Sequence, residues 1–333
     1  MPYQTGSVNS FADLKTQMFS FLSSNGWTQE GSNIIKKGTV FAEITTGADY
    51  IELVGAKSSD GAGNLVDIFD QISDSFPVAS PGLRMVQNVV QTFGDLITMT
   101  FPIAYHFHLQ SSPVDEFWCL VEYNGGFCQN MGFGMLNKTG QYTGGEFYSS
   151  VCGAFAGDTA GFRHLSSSNT ATQGVACTFC PFNLVSDYDS ADGATNAVAG
   201  SVVHAEIEDV DWFFNQRMGA TSAPYTGMTN SDQMYVRLLD FVRDRSESPI
   251  NGVASLVPFI LYGLSPRGNY MRLGSIENLR FARISNLNFG QIEDDGTDKW
   301  KFYPVLLKNA GDPEHTSGTH SGVFGLAVKY DGP

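Results

Sequence analysis

The chain has 333 residues, only 16% of them charged, and a net charge of −15. So acidic a surface repels phosphate backbones, which excludes nucleic acid as an expected partner. The longest apolar run, VASLVPFILYGL at 253–264, is interrupted by Pro258 and falls short of the roughly 20 residues a membrane span needs, so no membrane span is expected.

The length allows roughly two or three domains, or one large β-rich domain. Abundant glycine (36 residues) and 13% aromatic residues suit short strands and tight turns better than long surface helices. The opening MPYQTGSVNS lacks the basic and apolar regions of a secretory leader. The cysteines, Cys119, Cys128, Cys152, Cys177 and Cys180, are odd in number, so synthesis in a reducing cytoplasm is expected.

In chain order, SFADLKTQMFSFLSSNGW places Leu14, Met18 and Phe21/Leu22 on one face at helical spacing. Ser10 with Asp13 resembles a capping box, and Asn25-Gly26 supplies a stop. Three strand-like runs follow, SNIIKKG, VFAEIT and YIELVGA, with Val40, Ala42 and Ile44 alternating against Phe41 and Glu43. NLVDIFDQISDSF is read as a second helix, capped by Asn64 and ended by Pro77. Residues 78–95 fit helix or loop.

From 97 the pattern turns to β. Phe101, Ile103, Tyr105, Phe107 and Leu109 alternate with Thr100, Pro102, Ala104, His106 and His108. EFWCLVEY and FCQNMGFGML are joined by Asn124-Gly125-Gly126, a strong hairpin signal. Residues from about 150 to 230 read as loops and short strands, an insertion. SDQMYVRLLDFVRDRSESP is a third amphipathic helix, and SLVPFILYGL, LRFARISNL and KWKFYPVLL are strands, with a type I′ turn expected at Asp295-Gly296.

The expected fold is therefore α+β and β-dominated, with antiparallel meanders or sandwich-like sheets and a few short helices. Residues 1–96 would hold the first helix, a small antiparallel sheet and the second helix. Residues 97–333 would form the β-rich main domain.

Chemistry-bearing residues are sparse. YNGGFCQNMGFGMLNKTGQYTGGEF packs seven glycines among aromatic residues, but no helix follows Gly132-Phe133-Gly134 and no Gly-Lys-Ser/Thr is present. Its glycines serve turns, a bulge or close backbone approach. Cys177 and Cys180 have the spacing of half a zinc site without its second half, though Cys152, His164 or His204 could join in space. In HAEIEDVDWFF, a strand over 203–208 would turn Val203, Ala205 and Ile207 inward and put His204, Glu206 and Glu208 on one outer face. That row could bind a divalent cation or supply an acid–base pair; a solvated acidic face is the simpler reading. His106 and His108 also share a strand face but make an incomplete site. GLSPRG fails as a nucleophile elbow, and Asp294, Asp295 and Asp298 lack the spacing of a calcium loop. No catalytic set, metal or cofactor is expected; Cys177, Cys180, His204, Glu206 and Glu208 are the only metal-ligand candidates.

Four stretches carry a family likeness: YQTGS…DLKTQMFSFLSSNGWT; PIAYHFHL followed by FWCLVEYNGGFCQNMGFGMLNKTGQYTGGEF; PRGNYMRLGSIENLRFARISNLNFGQI; and DKWKFYPVLLKN with SGVFGLAVKYDGP. Together they resemble a group of tailed-bacteriophage virion proteins encoded among tail and baseplate genes. The resemblance covers about half the chain and implies a structural, non-enzymatic subunit. It would be made in the bacterial cytoplasm and built into the virion by symmetric contacts with itself and with other virion proteins. Trp118, Trp212 and Trp300 are candidate interface anchors, or core residues. Capsid decoration or a collar is a variant of that reading. A tail-tip glycan-binding or hydrolytic protein using Glu206 and Glu208 is its rival.

Overall fold

The computed structural model describes residues 2–69, 82–91, 96–150, 152–153, 160–162, 181–182, 201–215, 227–229, 256–264, 270–311 and 321–332. The expected helix at 231–249 lies outside them. Strands dominate, and they pair almost entirely antiparallel in two large sheets and one of three strands.

The helix Phe11–Ser24 forms as the sequence dictates. Ser10 Oγ accepts the Asp13 N–H at 3.0 Å, filling one of the orphan donors of the first turn. At the other end Gly26 (φ +84°) permits a Schellman closure. The Trp27 N–H reaches the Leu22 carbonyl (3.1 Å) and the Gly26 N–H reaches Ser23 (3.4 Å). Leu14, Met18, Phe21 and Leu22 are buried, and Phe21 meets Phe107 and Phe117 at ring-centroid distances of 5.5 and 6.3 Å.

The second sheet runs Cys152–Gly153, Leu83–Val86, Tyr50–Ser59, Val40–Thr46, Ile34–Lys37, Thr28–Glu30, with Leu65–Ile68 paired beside Ser58 and Ala56. The three runs expected after the helix are all strands here, and Val40, Ala42 and Ile44 are fully buried. The expected second helix is corrected in part. Leu65–Ile68 is a strand, kinked at Asp67 (φ +54°), because its backbone finds hydrogen-bond partners on Tyr50–Ser59. The rest of that stretch, 70–76, lies outside the described residues. The ambiguous 78–95 contains the strands Leu83–Val86 and Asn88–Gln91.

The main sheet has fourteen strands, beginning at Tyr3–Val8, which pairs with Ile103–Gln110. Strands from both sides of the expected 96/97 boundary are thus exchanged between sheets: the first strand enters the main sheet and Cys152–Gly153 enters the second. Ile103–Gln110, Glu116–Tyr123 and Phe127–Met135 form the predicted meander. Its turn has positive φ at Asn124 (48°) and Gly125 (76°), the signature of a type I′ turn. At the Asp294–Lys299 hairpin only Gly296 (φ +90°) turns positive, which is the II′ pattern rather than the expected I′.

Part of the main sheet closes on itself. Phe127–Met135 continues into Asn137–Lys138, which pairs with Ser275 and Gly274 of Tyr270–Arg283. The path from there through Thr143–Ser149, Ser201–Ile207, Val210–Asn215, Gly227–Thr229 and Leu256–Leu264 returns to Tyr270–Arg283. Gly274 makes the closure possible, since a Cβ there would sit 2.6 Å from the Asn137 carbonyl oxygen. A chain of aromatic contacts lines the core, Trp118–Phe147–Phe182–Phe259–Phe281–Phe324, with centroid spacings of 5.5–6.5 Å. Trp118 and Trp300 are core residues, 1% and 3% exposed.

Two polar side chains bolt the sheets together. Gln129, fully buried, accepts the Val86 N–H (3.0 Å) and donates to the Val86 carbonyl (2.8 Å), as a neighbouring strand would. Tyr148 Oη donates to the Phe41 carbonyl at 2.9 Å, and Gly55 clears the space for its ring. The one helix among the described residues is not long and apolar enough to cross a membrane.

Candidate functional site

The polar residues singled out near 204 lie where the second sheet crosses the main one. Two β-bulges build the place. Gly145 and Glu146 together stand opposite His204, because the Thr143–Ser149 strand slips register between Gly144 and Phe147. Ala205 and Glu206 together stand opposite Asp211, because Ser201–Ile207 slips between His204 and Ile207. Gly144 and Gly145 adopt φ of +106° and +111°, and a Cβ on Gly144 would meet the His204 carbonyl oxygen at 2.5 Å. Bulges of this kind re-aim side chains. Here the first aims Glu146 at His204, and the second sets Glu206 beside Asp211.

His204 is 4% exposed, and its Nδ1 is 2.7 Å from Glu146 Oε2. Burial pushes the Glu146 carboxyl up, but hydrogen bonds from His204 and Thr39 outweigh it and hold the group below its ordinary range. An ionised carboxylate only accepts, so His204 Nδ1 carries the hydrogen. His204 Nε2 is buried without a hydrogen bond, 3.6 Å from Glu206 Oε1. The imidazole also lies 4.8 Å from the Trp212 ring, its cross-strand neighbour. Lys57 of the second sheet donates to Glu206 Oε1 (3.0 Å) and Asp211 Oδ2 (2.7 Å). Burial lowers its proton affinity, but these two carboxylates win and raise it; the same contact holds Glu206 low.

The expected row of His204, Glu206 and Glu208 is therefore corrected in part. His204 and Glu206 stay side by side, but His204 is buried rather than on an open face, and Glu208 leaves the strand altogether. Glu208 (φ +53°) and Asp209 (φ +66°) are the two central residues of the turn joining Ile207 to Val210. The cation such a row would bind is already supplied by the Lys57 ammonium. Among the described residues no three His, Cys, Asp or Glu side chains are arranged to hold a metal ion. Cys177, Cys180 and His164 lie outside the described residues.

His106 and His108 enter a different cluster. Tyr3 Oη, 2.7 Å from Lys301 Nζ, bonds His106 Nδ1 at 2.9 Å, and His108 Nε2 bonds Tyr303 Oη at 2.8 Å. Burial, with the Lys301 charge adding, pushes His106 down to about 4, and burial keeps His108 well below the usual histidine range. Both are neutral packing residues. Glu116 is a third buried polar group, its carboxylate accepting the backbone N–H groups of Glu277 (2.7 Å) and Asn278 (3.1 Å).

No protein-family model and no curated protein sequence matches this chain. The sequence reading missed Glu146, Lys57 and Asp211. The doubled glycine before Glu146 was the available signal for the first, since two such residues inside a strand mark a bulge.

Proposed function

We propose that this chain is a structural component of a bacteriophage particle, placed in the tail or baseplate, that works by symmetric self-association and contacts with other virion proteins. The likeness of the four stretches quoted above supports the placement. One observation carries the mode of action. Val66 (39% exposed), Ile68 (40%) and Ile292 (41%) are the large apolar side chains left most open among the described residues, and all lie on strands at sheet margins. Leu65–Ile68 is paired on one side only among the described residues, and Ile292–Asp294 ends the main sheet. An apolar strand with unpaired backbone groups is a template for strand addition by another chain. The polar clusters fit this reading too, because their polar groups are spent on one another: Lys57 pairs with Glu206 and Asp211, and His204 hydrogen-bonds Glu146.

The test is quantitative mass spectrometry of density-purified particles, counting this chain against the major capsid and tail-tube subunits. A small fixed copy number matching a ring supports the tail or baseplate. A count near that of the capsid subunit moves the protein to capsid decoration or a collar. Absence from clean particles overturns the proposal.

A further inference from the structure

Lys15 projects from the helix Phe11–Ser24 toward the turn that precedes the strand Ile34–Lys37, and its Nζ lies 2.6 Å from Asn33 Oδ1. Both partners are held. The Lys15 stem passes the Phe19 ring, with Nζ 5.4 Å from the centroid. The Asn33 carbonyl accepts the Ile44 N–H at 2.8 Å, and Ile34 is in register with Glu43 on the neighbouring strand. Glu43 thus flanks the same point, and its charge acts on Lys15.

We propose that Lys15 and Asn33 react with each other to form an isopeptide cross-link between the helix and the second sheet, with Glu43 as the proton carrier. An amine held against a carboxamide has lost the translational freedom that makes the reaction slow between separate molecules. The Lys15 ammonium passes one proton by way of solvent to Glu43, and the freed Nζ lone pair forms a bond to Asn33 Cγ. The Cγ–Nδ2 bond then breaks as Glu43 returns that proton to Nδ2, and the second Nζ proton goes to the departing ammonia, which leaves as ammonium. One C–N bond forms and one breaks, and no oxidant, reductant or metal takes part. The environment favours the first step: burial lowers the proton affinity of Lys15, with Glu43 opposing it. The link would close a loop between residues 18 apart in sequence.

Intact-mass measurement of the purified, denatured full chain tests this directly. The cross-linked protein is lighter than its sequence by about 17 Da, the ammonia lost, and proteolysis yields one branched peptide containing Lys15 and Asn33. Succinimide formation at Asn25-Gly26 or Asn124-Gly125 loses the same mass but leaves no branch. Lys15→Arg restores the full mass while circular dichroism shows the parental fold. Folded parent protein that keeps its full mass after prolonged incubation at neutral pH, with Lys15 and Asn33 in separate peptides, overturns the proposal. So does a mass loss in Lys15→Arg equal to the parent's. A Glu43→Gln chain that links at the parental rate overturns the role given to Glu43.

Discussion

Glu116 is fully buried at the start of its strand, and burial pushes its carboxyl from the ordinary 4.5 up to about 7, against the opposing bonds from the Glu277 and Asn278 amides. Each pH unit between the two values is worth about 1.4 kcal/mol, so ionising Glu116 in the folded chain costs about 3 kcal/mol. A raised folded pKa means the group's contribution is fully present below pH 4.5 and lost as pH rises through about 7. The parent's own pH profile does not isolate this loss. His106, lowered from 6.5 to about 4, gives stability that grows over the overlapping range as pH rises, because the unfolded state binds the extra proton. The two slopes offset each other.

Glu116→Gln removes one slope and leaves the other. The amide keeps one acceptor for the backbone donors and loses the second, a pH-independent cost of about 1 kcal/mol. The variant should then be slightly less stable than the parent at pH 4.5 and more stable above pH 7. The difference in guanidinium unfolding free energy should swing by about 3 kcal/mol in the variant's favour across that range. A difference that stays flat refutes the reasoning. One that swings the other way would mean that the two amides hold Glu116 ionised throughout.

Three further outcomes are expected. His204→Ala strands the buried Glu146 carboxylate and should cost about 3–5 kcal/mol, whereas Lys57→Ala breaks pairs that are partly exposed and should cost less than about 1 kcal/mol; denaturant melts of both variants decide whether the dyad or the ion pairs hold the seam. Gly274→Ala drives a methyl against the Asn137 carbonyl at the point where the ring of strands closes, and should destabilise by about 1–3 kcal/mol, read as a lowered thermal midpoint. Glu208→Asn places a residue tolerant of left-handed backbone at φ +53° and should raise stability by about 0.5–1 kcal/mol; no gain would mean that the Glu208 side chain contributes as much as its backbone strain costs.

What could be read from the sequence was what is local. The helix declared itself because its spacing, its Ser10 cap and its Asn25-Gly26 stop all agree, and the structure satisfies each with a backbone bond. The Ile103–Phe127 meander was legible because alternation and the Asn124-Gly125 turn set its register. Leu65–Ile68 misled because apolar spacing that short fits either period, and the deciding partner is a strand edge supplied by Tyr50–Ser59.

The site was illegible for a sharper reason. A strand's alternation predicts that His204, Glu206 and Glu208 share a face; it keeps His204 and Glu206 together across the bulge and fails where a turn takes Glu208. The face occupied by His204 is covered by a second sheet whose crossing no local pattern encodes. Glu146 reaches His204 across a bulged strand pair, and Lys57 reaches Glu206 and Asp211 from the second sheet by packing. The glycine pair at 144–145 is the exception. It marks in the sequence a place where the backbone leaves the regular ladder, and the residue that follows it is the carboxylate that the buried imidazole requires. In a chain of strands, then, the irregularities say more about where polar chemistry is gathered than the acidic row does, because a regular strand can only repeat its two faces.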